Sequence, residues 1–268
     1  MAKFLIAVAQ LNSKDEVGAN VSTICNMIDE AGQRGVQWLS LPENSLFLSS
    51  RSEVTPPILY PDSDALQTIR EAANSWNMTV LLGGVGQLSP TPGKVFNTSC
   101  ILYPDGTEDQ VYQKCHLFDI QLKGREEHLE SLRIEPGKSL TCAPVGAFTV
   151  GMSVCYDLRF PELYRGLVQK GADVLSIPAA FTSTTGRDHW EVLLRARAIE
   201  NQCYVVAPAQ WGWHGGKRKS HGRSMVIDPW GTVICQATDG VGLAYAELER
   251  SAIDTLRQEM PVLEHRRF

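Results

Sequence analysis

No stretch of the 268-residue chain approaches the ~18 consecutive apolar residues that a membrane-spanning helix requires. The apolar run FLIAVA after Lys3 is too brief for a secretion-signal core, and no small-residue cleavage site precedes the polar NSKDE stretch. A soluble, unsecreted protein with no membrane partner is expected. Paired cysteines are missing as well: the seven (25, 100, 115, 142, 155, 203, 235) are odd in number, scattered and never spaced as C-x-x-C. That fits neither a disulfide framework nor a zinc ribbon and implies a reducing compartment, most simply the cytoplasm. Nor is there an excess of positive charge. With 25 basic against 30 acidic residues and a net charge of −5, the molecule has no overall attraction for polyanions, and nucleic acid is not an expected partner. HExxH, EF-hand and Cys/His cluster patterns are also missing, so no metal is expected.

What is present is an ordinary globular composition, 43% hydrophobic and 21% charged, in a chain long enough to bury a sizeable core without staples. FLIAVAQL is a continuous apolar run of the kind buried on both faces of a sheet. Asn20 can cap a helix with Val21, Ile24, Ile28 and Ala31 on one stripe and Gly35 at its end. VQWLSL reads as the next strand, broken by Pro42 and followed by Glu43. A helix over 64–77 buries Leu66, Ile69, Ala73 and Trp76, and TVLLGGV, NTSCILY and VYQKCHLF read as strands, the last two joined at Pro104-Asp105-Gly106.

From about residue 147 the order recurs. FTVGMSVC is a strand, and PELYRGLVQK a helix opened by Pro161 and closed by Gly171. DVLSIPAAF is a strand, and Asp188 with Glu191 forms a capping box for a helix through Asn201. CYVVAPAQ and SMVIDPWGTVICQA complete the pattern around the turn Asp228-Pro229-Trp230-Gly231. Both halves read β-α-β-α-β-β-turn-β. The expectation is one α/β domain over residues 1–268, an αββα sandwich of two β-sheets flanked by helices, with a pseudo-twofold internal repeat.

The strongest local signal for chemistry is SVCYDLRFPE. Cys155 ends a strand just before a helix start, where a thiolate is favoured, although a lone cysteine is as readily a small core hydrophobe. A thiol with a pKa of ~8.5 is only about 3% ionised at pH 7 and needs a base or a field. None of the six histidines shows a distinctive pairing with Cys155. A carboxylate and a lysine can serve instead if burial raises the acid and the lysine and a helix N-terminus lower the thiol. Glu43 in LPEN and Lys114 in QKCHLFD are the residue types required, though each alone reads as a surface charge. GMSVC misses the final glycine of a serine-hydrolase elbow. Gly84-Val85-Gly86 precedes a strand rather than a helix, which points to a tight turn or packing and to no cofactor. Lys217, Arg218, Lys219 and Arg223 form a basic loop that reads as a solvated face, with the sharper alternative that one of them meets a substrate carboxylate.

Taken together and in this order, LPEN, KCHLFD and SVCYDLRFPE resemble the three catalytic segments of the nitrilase, or carbon-nitrogen hydrolase, superfamily, and the resemblance runs from FLIAVAQL to EHRRF. It implies the αββα sandwich and a triad of Glu43, Lys114 and Cys155. It also implies a second glutamate, placed at Glu130 in HLES with Glu126 and Glu127 as rivals in register, and oxyanion binding by Lys114 and the Tyr156 backbone N–H. Cys115 departs from the Thr or Val that many relatives carry after the lysine, and a packing change alone is expected there. The Phe181-Thr182 corner is the expected substrate-binding wall, with core packing as the alternative for Phe181. The stretches AFTSTTGRDHWEVLLRARAIENQCYVV, DPWGTV and MPVLEHRRF resemble most the branch that hydrolyses deaminated glutathione to 2-oxoglutarate and cysteinylglycine. The ω-amidases, which act on 2-oxoglutaramate, resemble the chain nearly as well at the triad. A small-molecule amide substrate and a homodimer or larger homo-oligomer are implied, against a nitrile substrate or a catalytically silent interaction protein with the same fold.

Overall fold

The computed structural model describes residues 3–51, 53–105, 107, 109–122, 126–216 and 218–267. Gly106 of the expected first turn and Lys217 of the basic loop lie outside the described residues. The first half runs β1 (Phe4–Leu11), α1 (Val17–Gln33), β2 (Trp38–Ser40), α2 (Asp64–Ser75), β3 (Thr79–Leu88), β4 (Val95–Leu102) and β5 (Gln110–Gln113). A small hairpin, β6 (Asp119–Leu122) and β7 (Glu126–Leu129), leads to the short β8 (Ile134–Glu135). The second half runs β9 (Cys142–Val145), β10 (Phe148–Met152), α3 (Pro161–Gln169), β11 (Val174–Ser176), α4 (Ser183–Asn201) and β12 (Tyr204–Ala207). There follow the hairpin β13 (Ala209–Gly215) and β14 (Arg218–His221), then β15 (Met225–Ile227), β16 (Val233–Gln236), β17 (Gly242–Leu248) and α5 (Arg250–Glu259).

The repeat is visible in the sheets. In one, β1, β2 and β3 are parallel neighbours extended by antiparallel β4 and β5; in the other, β10, β11 and β12 are parallel and extended by antiparallel β15 and β16. Each set is flanked by an antiparallel strand on its first member, β17 on β1 and β9 on β10.

Strand alternation sorts the side chains into layers. Ala7, Ala9, Leu39, Val80 and Leu82 face α1 and α2, where they meet Ile24, Ile28, Leu66 and Ile69. The intervening Ile6, Val8, Trp38 and Leu81 join the second sheet's Met152, Val174 and Val206, and that cluster continues to Leu163, Leu167, Trp190 and Leu194 of α3 and α4. The order helix, sheet, sheet, helix follows, and every central strand is buried on both faces.

Four local expectations are corrected. CYVVAPAQ is not one strand: Pro208 has no N–H to continue a ladder, so β12 stays in the second sheet while β13 joins the end of β1 in the first. Asn20 does not cap α1, which begins at Val17; its amide instead bonds Lys14 N at 3.1 Å, Lys14 O at 2.8 Å and Leu46 O at 2.9 Å. α4 starts at Ser183, well before Asp188, because the Thr182 hydroxyl accepts from Thr185 N. Trp76, expected in the core, is 38% exposed. Its indole N–H donates to Asp29 and its ring covers Gly32, where a Cβ would lie within 2.1 Å of it.

Candidate active site

Glu43, Lys114 and Cys155 each lie just beyond the carboxyl end of a strand. β2 ends at Ser40, and Pro42 turns the chain so that Glu43 points inward, only 3% exposed. β3 passes so close to this loop that only glycine fits. A Cβ on Gly83 would lie 2.4 Å from Leu41 O and from Pro178, and one on Gly84 would lie 2.5 Å from Asn97 Oδ1. The glycines around Val85 therefore serve close packing, and a Cβ on Gly86 would likewise lie 2.4 Å from Pro57 O.

Both oxygens of Glu43 are engaged. Oε1 accepts from Asn97 Nδ2 at 2.9 Å and Lys114 Nζ at 3.0 Å, and Oε2 accepts from the Ala180 N–H at 2.9 Å. The expected strand VYQKCHLF stops at Gln113, so Lys114 begins a loop; its N–H donates to Asn97 O and its carbonyl accepts from Gly137 N. The ammonium, 2% exposed, also meets both oxygens of Glu130 at 2.9 Å. Glu130 opens a short 3-10 turn and accepts from Phe118 N at 2.6 Å, which fixes its reach. Of its rivals, Glu127 is exposed and accepts from Gln121 at 3.4 Å; the Glu126 side chain lies outside the described parts.

Cys155 follows β10 and is held at φ 50°, a left-handed conformation that is strained for a residue with a Cβ. Its N–H donates to Pro178 O at 2.9 Å, and its thiol is hydrogen-bonded to Glu43. Asp157, fully buried, ties this turn to the lysine segment. One carboxylate oxygen accepts from Val154 N at 2.9 Å and Tyr112 OH at 2.7 Å, the other from His116 N at 3.0 Å, with His116 Nδ1 at 2.7 Å. No simple sequence pattern singles out Asp157, Asn97 or the Ala180 N–H as partners of the site, since each acts through chain segments distant in sequence.

The electrostatics reverse an expectation. Burial works to raise the Glu43 carboxyl, but the Lys114 ammonium and the hydrogen bonds from Cys155, Lys114 and Ala180 outweigh it and hold the group below its ordinary range. Burial pushes the Cys155 thiol well up, the Glu43 charge adds to this, and Lys114 opposes it only in part. The helix N-terminus expected to lower the thiol is not adjacent: a 3-10 turn over Cys155–Arg159 separates Cys155 from α3 at Pro161. Burial also opposes the Lys114 charge, yet Glu130 and Glu43 hold its pKa well above the usual lysine value. These directions favour a resting site of thiol, carboxylate and ammonium.

These groups form the floor of a cavity of about 450 Å³, a volume suited to a small metabolite. Phe181 and Thr182 line it, and Phe181 also packs on Trp190 with ring centroids 5.1 Å apart. Tyr156 lies beside Cys155 on the wall. Of the basic loop, Arg218, partly buried, and Lys219, exposed, also line the cavity, so the loop is not a solvated face alone; β13 and β14 carry them there because Pro208 sends the chain across to the first sheet. His214, pulled down to about 4 chiefly by burial, anchors that hairpin through Ser13 O and Ser220 Oγ.

Strained cysteine, buried lysine and paired carboxylates between two stacked sheets define a hydrolase of carbon–nitrogen bonds. The chain matches the carbon-nitrogen hydrolase family over residues 5–258 and belongs to it. Among curated relatives it is 40% identical to a protein named deaminated glutathione amidase from a Synechocystis strain, over 100% of both chains. It is also 40% identical to the human deaminated glutathione amidase, covering 98% of this chain and 82% of that one. The fold superposes on the Caenorhabditis elegans NitFhit protein with a TM-score of 0.90 at 39% identity, over 100% of this chain and 66% of that longer one. Saccharomyces cerevisiae Nit3, a member of branch 10 of the nitrilase superfamily, gives 0.85 at 30% identity, over 99% and 97%. No helix among the described residues is long and apolar enough to cross a membrane.

Proposed function

We propose that the protein hydrolyses deaminated glutathione to 2-oxoglutarate and cysteinylglycine through a thioester on Cys155. The observation that carries this reading is the convergence of the Cys155 thiol, the Glu43 carboxylate and the Lys114 ammonium on one cavity floor. The relatives named above supply the substrate.

In the first half-reaction the sulfur attacks the amide carbon while its proton passes to Glu43. The oxyanion is met by Lys114 Nζ and the Tyr156 N–H; the Cys155 N–H is already committed to Pro178 O. The intermediate expels the amine, which takes the proton from Glu43, and leaves an acyl thioester. Water then attacks that carbonyl as Glu43 removes its proton; the tetrahedral adduct collapses, and the proton returns to sulfur. Glu130 acts on Lys114, holding its ammonium against the Glu43 side of the cavity. All of this takes place in a single domain.

The pH profile tests the assignment of the base. Glu43 must be a carboxylate and its value is depressed below 4.5, so activity is present above that value and lost only as pH falls through it. Cys155 reacts from the thiol, whose value is raised above 9.0. The expected kcat/KM is flat from about pH 5 to about pH 9, without the inflection near 6.5 that a histidine base would give. An inflection near 6.5 that disappears when His116 or His189 is replaced would remove Glu43 from this role.

The substrate is tested by kcat/KM on deaminated glutathione, on 2-oxoglutaramate and on a nitrile of similar size. At least about tenfold preference for deaminated glutathione, worth ~1.4 kcal/mol in the transition state, is expected. Preference for 2-oxoglutaramate makes the protein an ω-amidase instead. Two further readings accompany this one. The seven cysteines are all free, which supports a reducing, cytoplasmic setting. Val192 and Ile199, two turns apart on the outer face of α4 and 69% and 46% exposed, support a homodimer formed by outer helices.

A further inference from the structure

The cavity contains more positive charge than the catalytic floor uses. Lys114 is matched by Glu43 and Glu130. Arg218, at the start of β14, lines the same cavity and donates one recorded hydrogen bond, from Nη1 to Ser49 O at 3.1 Å. Among the described residues it has no carboxylate partner within ion-pair distance. A guanidinium carries five N–H donors in a planar fork and cannot shed its proton inside a protein, so most of its donors remain uncommitted.

Arg133, which follows the turn that holds Glu130, lines the cavity too, and its side chain makes no ion pair among the described residues. Burial lowers the Arg218 pKa and the Arg133 charge adds to the lowering, while Glu43 and Glu130 oppose it without cancelling it. Arg218 and Arg133 thus share a wall that includes Phe47, Phe96 and Phe118, where burial is the main cost to the Arg218 charge and no carboxylate is paired with its fork. Glu127 also reaches the cavity, but from the exposed β6–β7 hairpin, where it accepts from Gln121. Arg159, the last residue of the turn that opens at Cys155, is already engaged: it meets His189 Nδ1 at 3.3 Å and lies over the rings of Tyr156 and Phe181.

We propose that Arg218, assisted by Arg133, forms a carboxylate-reading subsite on the cavity wall, so that the enzyme selects amides bearing a free carboxylate away from the scissile bond. This rests on the reading of Cys155 as the nucleophile and of deaminated glutathione as the substrate, and adds to it the residues that recognise the substrate's carboxylate. Arg218 binds the carboxylate through its fork; Arg133 supplies charge and is the weaker contributor. Neutral amides of the same length enter the same cavity but leave the two guanidinium groups unpaired.

Binding separates this proposal from the chemistry. In a Cys155→Ala background, which cannot turn over, calorimetric titration with deaminated glutathione is compared with its neutral form, in which both carboxylates are primary amides. The variant with Arg218 intact is expected to bind deaminated glutathione about 10²-fold more tightly than the neutral form, and adding Arg218→Gln is expected to remove most of that ratio by weakening the charged ligand alone. Arg218→Lys, which keeps the charge but not the fork, is expected to restore part of it. Equal binding of charged and neutral ligands with Arg218 intact overturns the proposal, and so does a loss on Arg218→Gln that is the same for both. Failure of the catalytic reading shows elsewhere, as turnover by Cys155→Ala.

Discussion

Cys155→Ala lowers kcat on deaminated glutathione by about 10⁴-fold or more while leaving the fold intact. The effect is large because every bond change in the mechanism passes through that sulfur. Asp157, Glu43 and Lys114 can position and polarise, but none replaces a covalent intermediate. The fold is expected to survive because alanine removes one buried atom and, the resting group being a neutral thiol, leaves no buried charge without its partner. Steady-state turnover with circular dichroism on the same sample checks this, and a variant that retains even 1% of wild-type kcat would mean that another nucleophile operates.

Lys114→Met removes charge from a site that cannot tolerate the loss. The side chain is almost isosteric, but the buried Glu43 and the partly buried Glu130 would then face one another with no cation between them. Removing one partner of a buried charge pair costs about 3–5 kcal/mol, much of it from stranding the other charge. In a chain of this length that corresponds to a fall in Tm of about 10 °C. Loss of the oxyanion contact adds a fall in kcat of about 10²–10³-fold. Denaturant unfolding and turnover on the same variant separate the two effects. A Lys114→Met enzyme as stable as the wild type at pH 7 would show that the ammonium does not stabilise the fold through these two carboxylates.

The parts legible in the sequence are those decided locally. FLIAVAQL declares a strand buried on both faces because no polar residue interrupts it until Gln10, and Pro161 and Gly171 mark both ends of α3 through backbone geometry alone. Glu43, Lys114 and Cys155, and less sharply Glu130, could be singled out because LPEN, KCHLFD and SVCYDLRFPE in this order resemble a family's catalytic segments, whereas each residue alone reads as a surface charge or a core thiol. Their mutual distances could not be, since the contacts span two sheets.

What escaped reading depends on tertiary choices. Pro208 looks like an interruption within one strand, and only packing decides that the chain crosses to the other sheet there. That crossing turns Arg218 from an apparent surface charge into part of the cavity wall. The start of α4 was obscured because Thr182, Ser183, Thr184 and Thr185 have the composition of a loop, and one hydroxyl bonded to Thr185 N converts them into a cap. The directions in which Glu43 and Cys155 shift follow from large opposing effects, burial against a lysine charge. Their balance depends on distances and hydrogen bonds that no motif encodes.

The central claim is that one sulfur carries the acyl group. It is tested most directly by mixing wild-type protein with deaminated glutathione, quenching in acid during turnover, and measuring intact and peptide masses. The mechanism predicts a 2-oxoglutaryl group on the peptide containing Cys155, absent from Cys155→Ala and lost on treatment with hydroxylamine. Sustained turnover with the acyl group on another residue would contradict it.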